Sequence, residues 1–121
     1  MKANFEGATT VELVRMYELA AVEHGRGKLA GIPKLTNQSA DQIAAIYREL
    51  RSRGDAERRA ILPLLLSEVP SVRAWTGAHA LEFAPEQGQP ILAELAREEG
   101  LIGFGAQMTL KVWREGQLRF P

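Results

Sequence analysis

Trp75, His79 and Glu82 are the residues of this chain best placed to do chemistry together. They fall at i, i+4 and i+7, so on a helix they share one side. An aromatic ring, an imidazole and a carboxylate would then line one face. Histidine is the side chain whose ordinary pKa lies nearest neutrality, which makes His79 the acid–base candidate. A purely structural role produces the same spacing. A Trp can anchor a helix pair while a half-buried His bonds to a neighbour, and such networks also perturb titratable groups. The structural role is the commoner one. No catalytic residue is therefore assigned, and the chain is expected not to be an enzyme.

A second group is basic. Arg51, Arg53, Arg58 and Arg59 gather around Gly54, with Arg48 just before them. Such a corner can bind an anion or track a nucleic-acid backbone by neutralising phosphates. Glu49, Asp55 and Glu57 are interleaved with it. Arginine at the end of a helix also complements the helix dipole. A solvated, internally balanced face is the expectation, and nucleic-acid binding is the alternative. Metal binding is not expected, because His24 and His79 lie far apart in the chain and nothing shows ligand spacing. The run Gly25-Arg26-Gly27-Lys28 is too short for a phosphate loop, and no preceding strand supports it. Neither GxSxG nor HExxH occurs. No cofactor is expected.

Bulk composition narrows the class. The 121 residues carry 15 Lys plus Arg against 15 Asp plus Glu, so the formal net charge is zero and general attraction to nucleic acid or an anionic membrane is not expected. Hydrophobic residues make up 45%, the composition of a globular chain rather than a disordered one. Cysteine is absent, which removes disulfides, thiolate ligands and thiol nucleophiles. No apolar leader opens the chain, and no stretch approaches the ~20 apolar residues of a membrane span. A complete cytoplasmic protein is the expectation.

The elements that must position these residues read as helices. Thr9 with Glu12 three residues on forms a capping box for the first, whose apolar face is Leu13, Val14, Tyr17, Ala20 and Ala21. Gly25 and Gly27 are expected to end it, with His24 in the last turn, where positive charge is favoured. Residues 28–36 read as a connector. Asn37 or Ser39 is expected to cap the second helix, which carries Ile43, Ile46, Tyr47 and Leu50 and ends at Gly54. Asp55 is expected to cap a third helix, bent at Pro63, apolar nearly all round and therefore central. A fourth runs from Pro70 or Ser71 to about Phe83. A fifth starts at Pro85 with a possible kink at Pro90. A sixth spans 101–114, with Gly103 and Gly105 inviting close helix approach and Gly116 as the stop. No run of β-branched residues alternates long enough for a strand.

Residues 55–84 thus read as helix, tight turn, Val72-Arg73, helix. That is the plan of a HEAT-type repeat, in which antiparallel pairs must stack to bury their apolar faces. Residues 85–116 repeat it weakly: Ile91-Leu92 follows Ile61-Leu62 by thirty positions, and Leu95 follows Leu65. Residues 9–54 form a degenerate first pair. The expected fold is all-α, a compact HEAT-like α–α superhelix of about six helices in a single domain, 1–121.

Three segments, 46–87, 13–25 and 101–118, resemble a small bacterial family known as domain of unknown function 2019. The most specific pieces are Val72-Arg73 and the LEFAPE run at 81–86. The resemblance covers nearly the whole chain and implies a compact HEAT-like fold; it brings no catalytic residues. In HEAT repeats an acidic residue usually precedes the Val-Arg; here Ser67 and Glu68 occupy that region, and Arg73's partner is left open. The functional expectation is a protein–protein interaction module, immunity-type or regulatory, that binds another bacterial protein. Arg73, Trp75, His79 and Glu82 are the candidate contact residues. Exposed faces of the end helices also suit pairing of two copies.

Overall fold

The computed structural model describes residues 5–121. Their regular structure is helical throughout: α1 (Thr10–Ala30), α2 (Pro33–Arg53), α3 (Asp55–Arg59), a 3-10 helix (Leu62–Leu66), α4 (Pro70–Ala80), α5 (Pro85–Leu95) and α6 (Leu101–Arg114). None of the described residues lies in a strand, as expected. None of these helices is long and apolar enough to cross a membrane. The chain divides into two compact units, one formed by residues up to Ile61 with Pro121, the other by Leu62–Phe120. The division falls inside the expected 55–84 repeat.

The first unit is built on a long hairpin. Thr9 Oγ1 accepts from the Glu12 amide at 3.1 Å, and the Thr9 amide donates to Glu12 Oε1 at 3.0 Å, completing the expected capping box. This bonding holds the Glu12 carboxyl below its ordinary pKa. The helix does not stop at Gly25 or Gly27. It continues to Ala30 and ends at Gly31, whose φ of 66° supplies the left-handed cap. The Ile32 amide closes that cap on the Gly27 carbonyl at 2.9 Å. Two interior glycines cost about 1 kcal/mol each, too little to break a packed helix. Gly27 has a positive reason to be there. A Cβ at this position would lie 2.7 Å from Thr36 Oγ1, so the bare backbone lets α2 pass close by.

The connector expected over 28–36 therefore shrinks to Gly31-Ile32, and Pro33 opens α2 at its first position. Asn37 and Ser39 do not cap. They sit inside α2, where Ser39 Oγ donates to the Leu35 carbonyl at 2.8 Å. Leu13, Tyr17, Ala20 and Ala21 of α1 and Ile43, Ile46, Tyr47 and Leu50 of α2 are buried, the faces that helical spacing picks out.

The third helix is the largest departure. It stops at Arg59, and a turn leads into the 3-10 helix, where Pro63 stands second. Proline disfavours α geometry at the residue before it and removes an amide, so a bend becomes a break. Asp55 does not cap: Gly54 holds the N-cap position without a side-chain bond, and Asp55 is the first helical residue. The segment is not buried on most sides either. Of the 3-10 helix only Leu65 is buried.

In the second unit the 3-10 helix and α5 pack on α4, and α6 packs on α5 and α4. Pro70 and Pro85 open α4 and α5 as expected. The fourth helix ends at Ala80, and a turn carries the chain to Phe83. Pro90 does not interrupt α5. The core cluster is Leu81, Leu92, Leu95, Ala106 and Leu110, with Ile91, Ile102 and Trp113 against it. Full burial of each large side chain is worth about 1.5–3 kcal/mol. Gly88 is pressed on α4: an added Cβ would stand 2.6 Å from the Gly77 carbonyl oxygen and 2.9 Å from Ala80 Cβ. Gly77 in turn faces Leu92. Contacts that run Ala80 to Gly88 and Gly77 to Leu92 make α4 and α5 an antiparallel hairpin.

Candidate functional site

All four candidate contact residues belong to the second unit. Arg73, Trp75 and His79 lie on α4, and Glu82 lies in the turn after it. Arg73 is committed to the turn before its own helix, because a guanidinium N–H donates to the Ser67 carbonyl at 2.7 Å. Ser67 Oγ accepts from the Val69 amide at 3.1 Å, tightening the same turn. The partner of Arg73 seen here is thus a backbone oxygen rather than Glu68.

Trp75 and His79 meet as the i, i+4 spacing requires, ring centroids 5.8 Å apart and planes tilted by 47°. His79 is only 4% exposed. Its imidazole is sealed among its neighbours, so it is not offered to a partner surface in this conformation. Trp75 and Glu82 are half-buried. Trp75 and His79 share a face of α4 through this ring contact, whereas Glu82 lies beyond the end of the helix. Among the described residues, no set of three His, Asp or Glu side chains comes together as metal ligands.

The arginine corner belongs to the first unit and is largely occupied. Arg53 is a clamp. Its Nε donates to Glu49 Oε2 at 2.8 Å, and its two terminal nitrogens donate to the Ala8 carbonyl at 2.7 Å and the Phe5 carbonyl at 2.8 Å. That fork ties the segment before α1 to the end of α2, a use of guanidinium geometry that lysine cannot copy. Arg58 and Arg59 both bond Asp55, at 2.7 and 2.8 Å. Those two bonds hold the Asp55 carboxyl below its ordinary pKa, and the bond to Asp55 is the main reason the Arg58 guanidinium is raised. Arg51 lies over the Tyr47 ring, 5.5 Å from its centroid, and donates to the Pro121 carbonyl oxygen. The four cations are thus engaged by carboxylates, backbone carbonyls and a ring, with Arg59 and Asp55 paired at the exposed surface.

His24 is not in a last turn, since α1 runs six residues further. It lies half-buried in the helix, and its pKa is lowered, first by desolvation and then by Lys28.

Two features went unremarked in the sequence. An open groove of about 440 Å³ is lined by Leu62, Pro63, Leu65, Leu66, Gln87 and Ile91, and Leu66 beside it is 84% exposed. On α6, Leu101, Phe104 and Met108 are exposed although Gly103, Ala106 and Leu110 on its other side are buried. The signal for the second was legible: α6 is apolar on both faces, and one helix face suffices for one core. For the groove no signal existed, because the run 60–66 gives no hint which leucine turns outward once the helix breaks.

No protein-family model matches the chain, and no curated protein matches it. Among solved structures it is similar to the crystal structure of the protein RPA1889 from Rhodopseudomonas palustris CGA009. The likeness has a TM-score of 0.90 at 24% sequence identity and covers 99% of this chain and 100% of that one. It establishes the all-helical fold.

Proposed function

We propose that this chain is a non-enzymatic protein-interaction module that receives an apolar side chain of another protein in the groove between the 3-10 helix and α5. The observation that carries the proposal is Leu66, 84% exposed on the rim of an apolar groove. An exposed leucine alone is ordinary, but one that borders a concave apolar surface supplies the anchor-and-pocket arrangement from which interfaces draw their energy. The sealed imidazole of His79 favours a binding module over acid–base catalysis. The finer description, helix pairs stacked in the HEAT manner, belongs to this proposal and is supported by the α1–α2 and α4–α5 hairpins. So does the concrete form of a cytoplasmic immunity-type or regulatory protein that covers another bacterial protein, which rests on analogy with the binding surfaces of stacked helix pairs. Nucleic-acid binding draws little support, since Arg53, Arg58 and Arg59 are bonded within the chain.

The test is affinity capture followed by titration of the recovered partner. Leu66→Asp is expected to weaken binding at least tenfold, about 1.4 kcal/mol, without lowering the melting temperature. A partner bound equally well by the Leu66 variant, or no saturable partner at all, would remove the proposal.

A further inference from the structure

The turn between α1 and α2 combines exposed apolar side chains with a local excess of positive charge. Gly27, buried against Thr36, is the last close contact of the two helices, and every residue from 28 to 34 beyond it is exposed. Leu29 is 81% exposed and Ile32 46%, with Ala30 and Pro33 beside them. Arg26, Lys28 and Lys34 are exposed at the same end of the hairpin. No aspartate or glutamate occurs from residue 24 to residue 40, although acids and bases balance over the whole chain. Glu23, at the lower edge, bonds Arg26 at 2.5 Å and partly offsets it, so Lys28 and Lys34 supply most of the excess.

We infer that this hairpin end is a contact site for an anionic lipid surface, with Leu29 and Ile32 entering the acyl boundary and Lys28 and Lys34 meeting the headgroup phosphates. Charge complementarity names the occupant. Lysine stems can lie along apolar surface while their ammonium groups reach a charged layer, so the leucine and the cations are satisfied at adjacent depths of one interface. A two-residue reversal is convex and offers no hollow for the anchor of another protein. A nucleic acid would use the cations but not an exposed leucine, and single-strand readers stack bases on aromatic rings. No aromatic residue lies between Tyr17 and Tyr47. The zero net charge does not oppose this contact, because charges more than about 8–10 Å away are screened at ordinary salt. Each cation near an anionic surface strengthens binding about fivefold, so the two lysines give a preference of roughly 25-fold for anionic over neutral lipid. Two side chains bury less than one acyl chain, so the contact is peripheral and reversible. It lies in the first unit and the groove beside Leu66 in the second, so neither reading depends on the other.

Cosedimentation of the full chain with vesicles tests the site. Vesicles of phosphatidylcholine with about 30% phosphatidylglycerol should bind the chain roughly 25-fold better than phosphatidylcholine alone. That preference should vanish as salt rises from about 0.1 M to about 1 M, where the screening length falls to ~3 Å. Lys28→Gln and Lys34→Gln should each cost about fivefold. Leu29→Ser should also cost about fivefold through the lost apolar burial, with the melting temperature kept because the side chain packs on little in the free protein. Leu66→Asp should leave vesicle binding untouched. Three results would each overturn the inference: no binding or equal binding to the two vesicle types, anionic vesicle binding indifferent to Leu29→Ser, or equally tight binding to duplex DNA that Leu29→Ser leaves unchanged.

Discussion

Gly88→Ala puts the packing of the second unit to a quantitative test. The new methyl carbon would lie 2.6 Å from the Gly77 carbonyl oxygen and 2.9 Å from Ala80 Cβ, distances that real Cβ atoms essentially never show. Neither neighbour can swing aside, because one is backbone and the other is fixed to it. The helices must therefore separate by roughly 0.5–1 Å, a gap that forfeits a quarter to a half of each dispersion contact across it. Gly77 against Leu92 is the first contact to thin. Overpacking of this kind costs about 1–3 kcal/mol, against about 1 kcal/mol regained from the better helix propensity of alanine. The net loss is about 0–2 kcal/mol, each kcal/mol lowering the melting temperature by roughly 4 °C in a chain of this length. Gly105→Ala is the matched control, since it gains the same propensity on an open helix face. It should raise stability by about 0.5–1 kcal/mol. Thermal and urea melts of both variants, followed by circular dichroism, decide the matter. If Gly88→Ala stabilises as Gly105→Ala does, the close approach of α4 and α5 at this point is wrong.

Two further outcomes follow from the first unit. Arg53→Gln should cost about 2 kcal/mol, with partial exposure holding it to the low end of the range for charged hydrogen bonds, and should speed amide exchange at Ala8. Arg53→Lys should recover little, since one ammonium cannot serve Phe5, Ala8 and Glu49 together; a lysine variant as stable as the parent would refute the clamp. His24 has a folded pKa below its ordinary 6.5, so the unfolded chain takes up the proton first. Its contribution to stability is complete above that value and falls as the pH drops through it. His24→Gln should flatten the stability profile between pH 7 and pH 5, and an unchanged slope would show that desolvation of this imidazole does not matter.

Much of the local structure was legible because its causes are local. Thr9 and Glu12 cap α1 through bonds three residues apart, Pro70 and Pro85 fit the first turn where no amide is needed, and the bounds of α6 at Leu101 and Arg114 follow from the flanking glycines. Gly25 and Gly27 misled because they carry a helix-breaking propensity that packing overrides, and only the proximity of Thr36 shows what Gly27 is for. His79 was identifiable as a partner of Trp75 by spacing, but its burial was not, since spacing gives the face of a helix and says nothing of what covers it.

The order and faces of the helices were written in the chain by capping residues, prolines and apolar periodicity, which act within one or two turns. Which leucine of residues 62–66 faces solvent, whether Arg53 binds a phosphate or the carbonyls of Phe5 and Ala8, and how near Gly88 comes to Gly77 were decided by tertiary structure. Each depends on a neighbour distant in sequence, and a contact of that kind leaves no periodic trace in the residues that make it.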